Sequence, residues 1–283
     1  MGGYPEGAPC WADASLSDLA AGKRFYGELF GWTFDEDTEG RPEGRPEGRP
    51  EGRGDRMADG KFGGYTNAFK DGKRVAALRP KRDGRMPTSW TVYLATPDAH
   101  ALAARIREAG GQVITDPLPV PPYGTMALAA DPGGAVFGLW QGERHAGFEL
   151  TRKPGSFCWT EVYTRDKDQA DAFYESVFGY EGGDPGSPDE IGADFRTWSL
   201  PGAEPGPDNA IGGRSLMSDA FPAALPDHFL VYFSVEDCDA VAAACTRLGG
   251  RVTAEPFDIP YGRMAVLNDN QGAAFAVLQG SGT

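Results

Sequence analysis

The stretch Pro9–Trp32, PCWADASLSDLAAGKRFYGELFGW, returns 148 residues later as Phe157–Tyr180, FCWTEVYTRDKDQADAFYESVFGY. Cys10/Cys158, Trp11/Trp159, Asp18/Asp166, Phe25/Phe173, Tyr26/Tyr174, Phe30/Phe178 and Gly31/Gly179 coincide. Both stretches open on a short strand-like run. An aspartate then caps a helix. In the first copy Leu19, Phe25, Tyr26, Leu29 and Phe30 fall on one helical face. Glycine ends the helix in each.

The ends of the two copies also agree. Pro121–Gly142, PPYGTMALAADPGGAVFGLWQG, matches Ile259–Gly280, IPYGRMAVLNDNQGAAFAVLQG, at an offset of 138 residues. The chain is therefore a tandem duplication, with about ten residues gained in the first copy or lost in the second. The Pro-Glu-Gly-Arg run at 39–54 accounts for the difference. It has no apolar residue to bury, and its Pro and Gly oppose helix and strand, so a flexible loop is expected there. The copies are expected at 8–142 and 156–280, joined by a polar linker at 143–155 that ends in Pro-Gly.

Each copy divides again. The first reads as strand Cys10–Ser15, helix from Leu19, strands at TFDED and RVAALRP, then strand SWTVYLAT, a helix after Asp98, and strands QVIT, TMALAAD and AVFGLWQ. The second copy repeats this order. The pattern is β-α-β-β-β, four times over.

The chain has 283 residues, 40% apolar and 11% aromatic, enough to bury a substantial core. Its formal net charge of −14 disfavours nucleic acid and anionic membrane surfaces, both of which need clustered cations. No apolar run is long enough to span a bilayer, and the N-terminal MGGYPEGAPCWAD lacks the features of a signal peptide, so a cytoplasmic location is expected. Four cysteines form no CxxC pair, and the three histidines (His100, His145, His228) lie far apart, which argues against a zinc site built mainly from His and Cys. His100 is expected to be solvated.

The Asp18…Phe25-Tyr26…Gly31 helix, the Gly110-Gly111 and Gly249-Gly250 pairs, and the Asp131-Pro-Gly-Gly…Phe137 and Asp269…Gly272…Phe275 segments carry a resemblance. The chain resembles the vicinal oxygen chelate superfamily, which includes glyoxalase I, bleomycin-resistance proteins and extradiol dioxygenases. In detail it is similar to two-domain actinobacterial glyoxalase-like proteins, often labelled hydroxylases or secreted antigens. The resemblance implies an α+β fold in which paired modules form two half-open eight-stranded cups. Metal-using members place His, Gln or Glu on the first and last strands of each module, pointing inward. The corresponding positions here are Trp11, about Ala77, Thr91 and Gly138 in the first copy, and Trp159, near Gly212, Leu230 and Ala276 in the second. None is a ligand type, so no metal and no other cofactor is expected.

Alternation along strands puts Asp13 and Ser15 beside Trp11, and Glu161 and Tyr163 beside Trp159, on the cup face. It adds Tyr93 and Trp140 in the first cup, and His228 and Tyr232 in the second. Tyr123 and Tyr261, in Pro-Tyr-Gly turns, are expected at the rims. These aromatics suit a flat, largely apolar ligand. Asp13 and Glu161 are the candidate acid–base groups, with Arg79 and Arg214 as equivalent ion-pair partners. Cys10 and Cys158 should alternate away, beneath the helix, and Asp131 and Asp269 should cap turns. The leading expectation is a metal-independent binder of an aromatic or hydrophobic metabolite, accessory to secondary metabolism or resistance. The alternative is a glyoxalase-like lyase, or an oxygenase or hydroxylase. A third reading has filled cups and protein partners. A homodimer stays open.

Overall fold

The computed structural model describes residues 3–35, 63–183, 194–204, 206 and 208–280. The loop expected at 39–54 lies outside them. The first copy runs β1 (Pro9–Leu16), α1 (Leu19–Phe30), β2 (Thr33–Phe34), β3 (Thr66–Lys70) and β4 (Lys73–Pro80), then β5 (Ser89–Ala95), α2 (Ala99–Glu108), β6 (Gln112–Val120), β7 (Gly124–Ala130) and β8 (Val136–Gly142). The second runs β9 (Phe157–Thr164), α3 (Lys167–Phe178), β10 (Glu181–Gly183), β11 (Phe195–Ser199) and β12 (Ala210–Leu216), then β13 (His228–Ser234), α4 (Cys238–Arg247), β14 (Arg251–Ile259), β15 (Gly262–Asn268) and β16 (Ala274–Gly280).

Each helix begins on an aspartate. Asp18 accepts from Ala21 N–H, Asp98 from His100 and Ala101, Asp166 from Gln169, and Asp237 from Ala240. These bonds satisfy donors that the first turn leaves unpaired. Gly31 and Gly179 end α1 and α3 at φ 69° and 68°, a left-handed conformation that costs glycine little.

The strands form two eight-stranded sheets, ordered β2-β3-β4-β1-β5-β8-β7-β6 and β10-β11-β12-β9-β13-β16-β15-β14. Within a module the first strand pairs in parallel with the last, as β1 with β4 and β5 with β8. Modules join antiparallel through β1–β5 and β9–β13. This is the α+β pairing of β-α-β-β-β modules that the family resemblance implies.

Aromatic side chains from the helices and the facing sheets interlock the two copies. Tyr26 of α1 packs with Trp90 of its own sheet, and Tyr26 and Phe30 both pack with Phe275 of the other. Tyr174 of α3 packs against Phe137 of the first copy and Phe229 of its own. Rings at these separations add attraction beyond area burial. The turn aspartates complete the joint. Asp131 Oδ1 accepts from Ala135 N–H within its own turn, and Oδ2 accepts from Tyr174 OH at 3.1 Å. Asp269 does the same with Ala273 N–H and Tyr26 OH. Each aspartate therefore caps its own turn and also ties that turn to the other copy. Among the described residues no helix is long and apolar enough to cross a membrane.

Candidate functional site

The first cup holds a cavity of about 460 Å³. Strand register sets which side chains reach it. Trp11 of β1 stands opposite Tyr93 of β5, Tyr93 opposite Gly138 of β8, and Trp140 of β8 opposite Met126 of β7. Residues directly opposite in a sheet share a face, so one register delivers Trp11, Asp13, Tyr93, Met126 and Trp140 to one lining, with Val120 at its edge. A Cβ at position 138 would lie 2.1 Å from the Tyr93 ring, so only glycine lets that ring settle against the sheet.

At the base of this lining Asp13 is 1% exposed. Its Oδ1 accepts from Arg79 Nε at 3.0 Å and its Oδ2 from Tyr93 OH at 2.9 Å. The ion pair holds the Arg79 guanidinium above its ordinary range, and burial beside Asp13 drives the Tyr93 and Tyr65 hydroxyls well above theirs. Trp11 Nε1 donates to Tyr65 OH at 2.8 Å. Both polar ends of the pocket's aromatics are thus tied down.

A further wall comes from outside the strands. His145, just after β8, sets its ring edge-on to Trp11 with centroids 4.4 Å apart. Its carbonyl accepts from Trp140 Nε1 at 2.7 Å, and its N–H donates to the Tyr123 carbonyl at 3.2 Å. Burial, aided by the Arg74 charge, depresses its pKa to about 4, so the ring is neutral at pH 7.

The second cup repeats the register with other side chains. Trp159 faces Tyr232, Tyr232 faces Ala276, and Glu161 faces Leu230 and Gly213. Glu161, 6% exposed, accepts from Tyr232 OH at 2.5 Å and from Trp159 Nε1 at 3.4 Å, and Tyr163 OH reaches Tyr232 OH at 3.1 Å. Burial raises the Glu161 pKa against the opposing pull of these donors. His228 stacks on Tyr163 at 5.3 Å and donates Nδ1–H to the Pro226 carbonyl at 2.8 Å, which fixes it at the strand entrance. Leu230, Tyr232, Met264 and Ala276 form a small apolar cluster against which Trp159, Tyr163 and Leu278 pack.

Comparison with known proteins agrees with this architecture. The profile of the Glyoxalase/Bleomycin resistance protein/Dioxygenase superfamily matches residues 12–139. A Mycobacterium tuberculosis protein named "Putative glyoxylase CFP32" is 38% identical over 282 residues, covering 98% of this chain and 96% of its own. The chain belongs to the glyoxalase/bleomycin resistance/dioxygenase superfamily. The anthracycline biosynthesis protein DauV of Streptomyces sp. strain C5 is 37% identical over 290 residues, covering 98% of this chain and 94% of its own. Among solved structures, the Mn(II)-bound glyoxalase of Novosphingobium aromaticivorans has the same fold, with a TM-score of 0.60 at 15% identity, covering 97% of this chain and 82% of that one.

Metal-using members of this superfamily need several N or O donors converging at about 2.0–2.2 Å. The donor set here does not fit. The strand positions facing the first cup carry one carboxylate, and its two oxygens are engaged by Arg79 and Tyr93. A guanidinium 3.0 Å from that carboxylate occupies the place and the charge a cation would need. Among the described residues no three His, Cys, Asp or Glu side chains converge.

Several sequence expectations need correction. Arg79 and Arg214 are not equivalent. Arg79 stands opposite Ser15, but the residue opposite Tyr163, at the matching place, is Ser215. Arg214 points the other way and binds Asp171 of α3 and Asp194. For the same reason the counterpart of Ala77 is Gly213, not Gly212. Cys158 does not lie beneath the helix. A register shift between Phe157 and Trp159 breaks the alternation, and Cys158 joins the cup cluster. Cys10 sits at the matching shift and is fully buried, its thiol 3.4 Å from the Tyr93 carbonyl. Tyr123 lies in the turn before β7, where its carbonyl accepts from the Glu143 and His145 N–H groups, and Tyr261 is exposed at the turn before β15. Tyr65 and His145 were missed. Both lie outside periodic segments, and only their types, an aromatic and one of three histidines, could have flagged them.

Proposed function

We propose that the first cup binds a flat, largely apolar small molecule without a metal. The observation that carries this reading is the 460 Å³ cavity walled by Trp11, Tyr93 and Trp140 over the buried Asp13–Arg79 pair. Its volume lies within the roughly 300–1,000 Å³ of small-molecule pockets, and its lining follows their pattern of apolar walls with few, fixed polar groups. The relative DauV is named for anthracycline biosynthesis, which favours a polycyclic aromatic ligand and an accessory role in secondary metabolism or resistance. The acidic chain gives no footing to nucleic acid, and the cytoplasm is its proposed location. A lyase or oxygenase reading has weaker support. Asp13 and Glu161 are each held by hydrogen bonds to fixed groups of the fold, an arrangement that suits a structural role better than proton transfer.

The test is equilibrium titration with polycyclic aromatic ketones and phenols, read by tryptophan fluorescence and calorimetry. A saturable quench at 1:1 stoichiometry is expected. Trp140→Ala should weaken it, and Trp159→Ala should leave it unchanged. Failure of every compound in the series to bind, with turnover of small aldehydes instead, sinks the reading.

A further inference from the structure

His145 presents a polar atom that the fold leaves unused. The residue is 7% exposed and lines the first cavity. Among the described residues its Nε2 is buried with no hydrogen-bond partner. A buried polar group without a partner costs on the order of 1–3 kcal/mol, and such exceptions call for an explanation. The surroundings are built to hold the ring. Its carbonyl and N–H are clamped by Trp140 and Tyr123, and its ring packs perpendicular to Trp11.

The tautomer follows from the other nitrogen. Arg74 Nη1 approaches Nδ1 at 3.4 Å. A guanidinium has only donors, so Nδ1 must accept. Arg74 is itself aimed by Glu149, which accepts from its Nε, its Nη2 and its backbone N–H. In a neutral ring whose Nδ1 accepts, the proton sits on Nε2. The chain Glu149–Arg74–His145 therefore ends in a buried, unpartnered N–H donor on a residue that lines the aromatic cavity.

We infer that His145 donates its Nε2–H to a carbonyl or quinone-type oxygen of the ligand in the first cup, and so selects oxygenated polycycles over bare hydrocarbon ones. This rests on the reading of the first cup as a binding site, and it names that site's ligand class. His145 acts as a specificity-determining residue, and Arg74 and Glu149 as positioning residues that set its tautomer.

The experiment uses two soluble probes of the same ring frame, anthraquinone-2-sulfonate and anthracene-2-sulfonate. Wild-type protein should bind the quinone about tenfold more tightly, the factor expected of one well-made buried hydrogen bond. His145→Phe should erase that preference, read as the ratio of the two probe affinities within that variant. His145→Gln, whose amide N–H can replace the donor, should restore most of it. Circular dichroism and thermal melts confirm that each variant is folded. If neither probe binds the wild type, the binding reading falls and takes the inference with it. If both bind and the preference is absent, or survives in His145→Phe, the inference alone falls. Histidine ¹⁵N spectra add a readout independent of affinity, easily assigned with three histidines in the chain. An Nε2–H tautomer of His145 at pH 7 is expected, with its proton shifting on addition of the quinone. An Nδ1–H tautomer overturns the inference.

Discussion

The two cups share their register and differ in what stands beside the carboxylate. In the first, Asp13 meets the Arg79 guanidinium at 3.0 Å. In the second, Ser215 occupies the matching place and Glu161 is surrounded by Tyr163, Tyr232 and Trp159. One copy buries a charge with its counter-charge. The other buries an acid among neutral donors, where desolvation pushes it toward its protonated form. The floors differ too. Glycine at 138 lets Tyr93 lie low, whereas Ala276 stands opposite Tyr232. Duplication preserved the backbone of the cup. Single positions on its strands set whether the buried carboxyl group is paired with a guanidinium or surrounded by neutral donors.

The largest expected effect comes from unpairing that charge. Arg79→Met leaves Asp13 buried without compensation, a loss of about 3–5 kcal/mol. The double variant Asp13→Leu/Arg79→Met removes both charges and should recover most of it. Urea unfolding of the two proteins checks this. A single variant that costs less than about 1 kcal/mol would mean the pair is more solvated than its burial implies.

Arg214→Met should cost less, about 2 kcal/mol, because Asp194 is partly exposed and can rehydrate. It should loosen α3, where Asp171 sits, and leave the titration of Glu161 in place. A changed Glu161 titration in this variant would put Arg214 back in the cup and break the distinction drawn between the two arginines.

Gly138→Ala makes the first floor resemble the second. The new methyl must displace the Tyr93 ring into the cavity, at a cost of about 1–3 kcal/mol. Probe affinity should fall with it, measured by the same tryptophan quench. Unchanged affinity would show that Tyr93 is not part of the bound surface.

Most of the fold was legible because the chain states its pattern four times. Four aspartate caps and two helix-ending glycines recur at fixed spacing, and local capping chemistry needs no tertiary context. Cup-face residues on β1 and β9 were legible from Trp11 and Trp159, since side chains alternate. The reading failed where alternation has nothing to show. In AIGGRSL two adjacent glycines hide which face is which, and a slip of one residue sent Arg214 to the wrong side. Bulges at Cys10 and Cys158 defeat a period of two for the same reason. His145 was illegible for a different reason. It reaches the cup from an irregular segment whose path is set by Phe148 N–H on the Cys10 carbonyl and Glu149 N–H on the Arg74 carbonyl, contacts between residues far apart in sequence.

The smallest effect at acid pH, and the most telling across pH, belongs to Glu161→Gln. The folded pKa of Glu161 is raised above the roughly 4.3 of an unfolded glutamate. A raised carboxyl binds its proton more tightly folded than unfolded. Its stabilising contribution is therefore complete below the unfolded value and is lost as pH rises through the folded one. Wild type and Glu161→Gln should be equally stable at about pH 4, and the variant should gain on wild type as pH increases, levelling off above the folded pKa. His145 also titrates in this range, near pH 4 when folded, but both proteins carry it and it cancels in the difference. Asp13→Asn is the companion variant. It leaves the Arg79 guanidinium without its partner, so it should destabilise at neutral pH, where Glu161→Gln does not. Unfolding midpoints for the three proteins between about pH 4 and pH 8 decide the matter. Parallel curves for the two variants would mean that the cups hold their carboxylates alike, and that Arg79 does not set them apart.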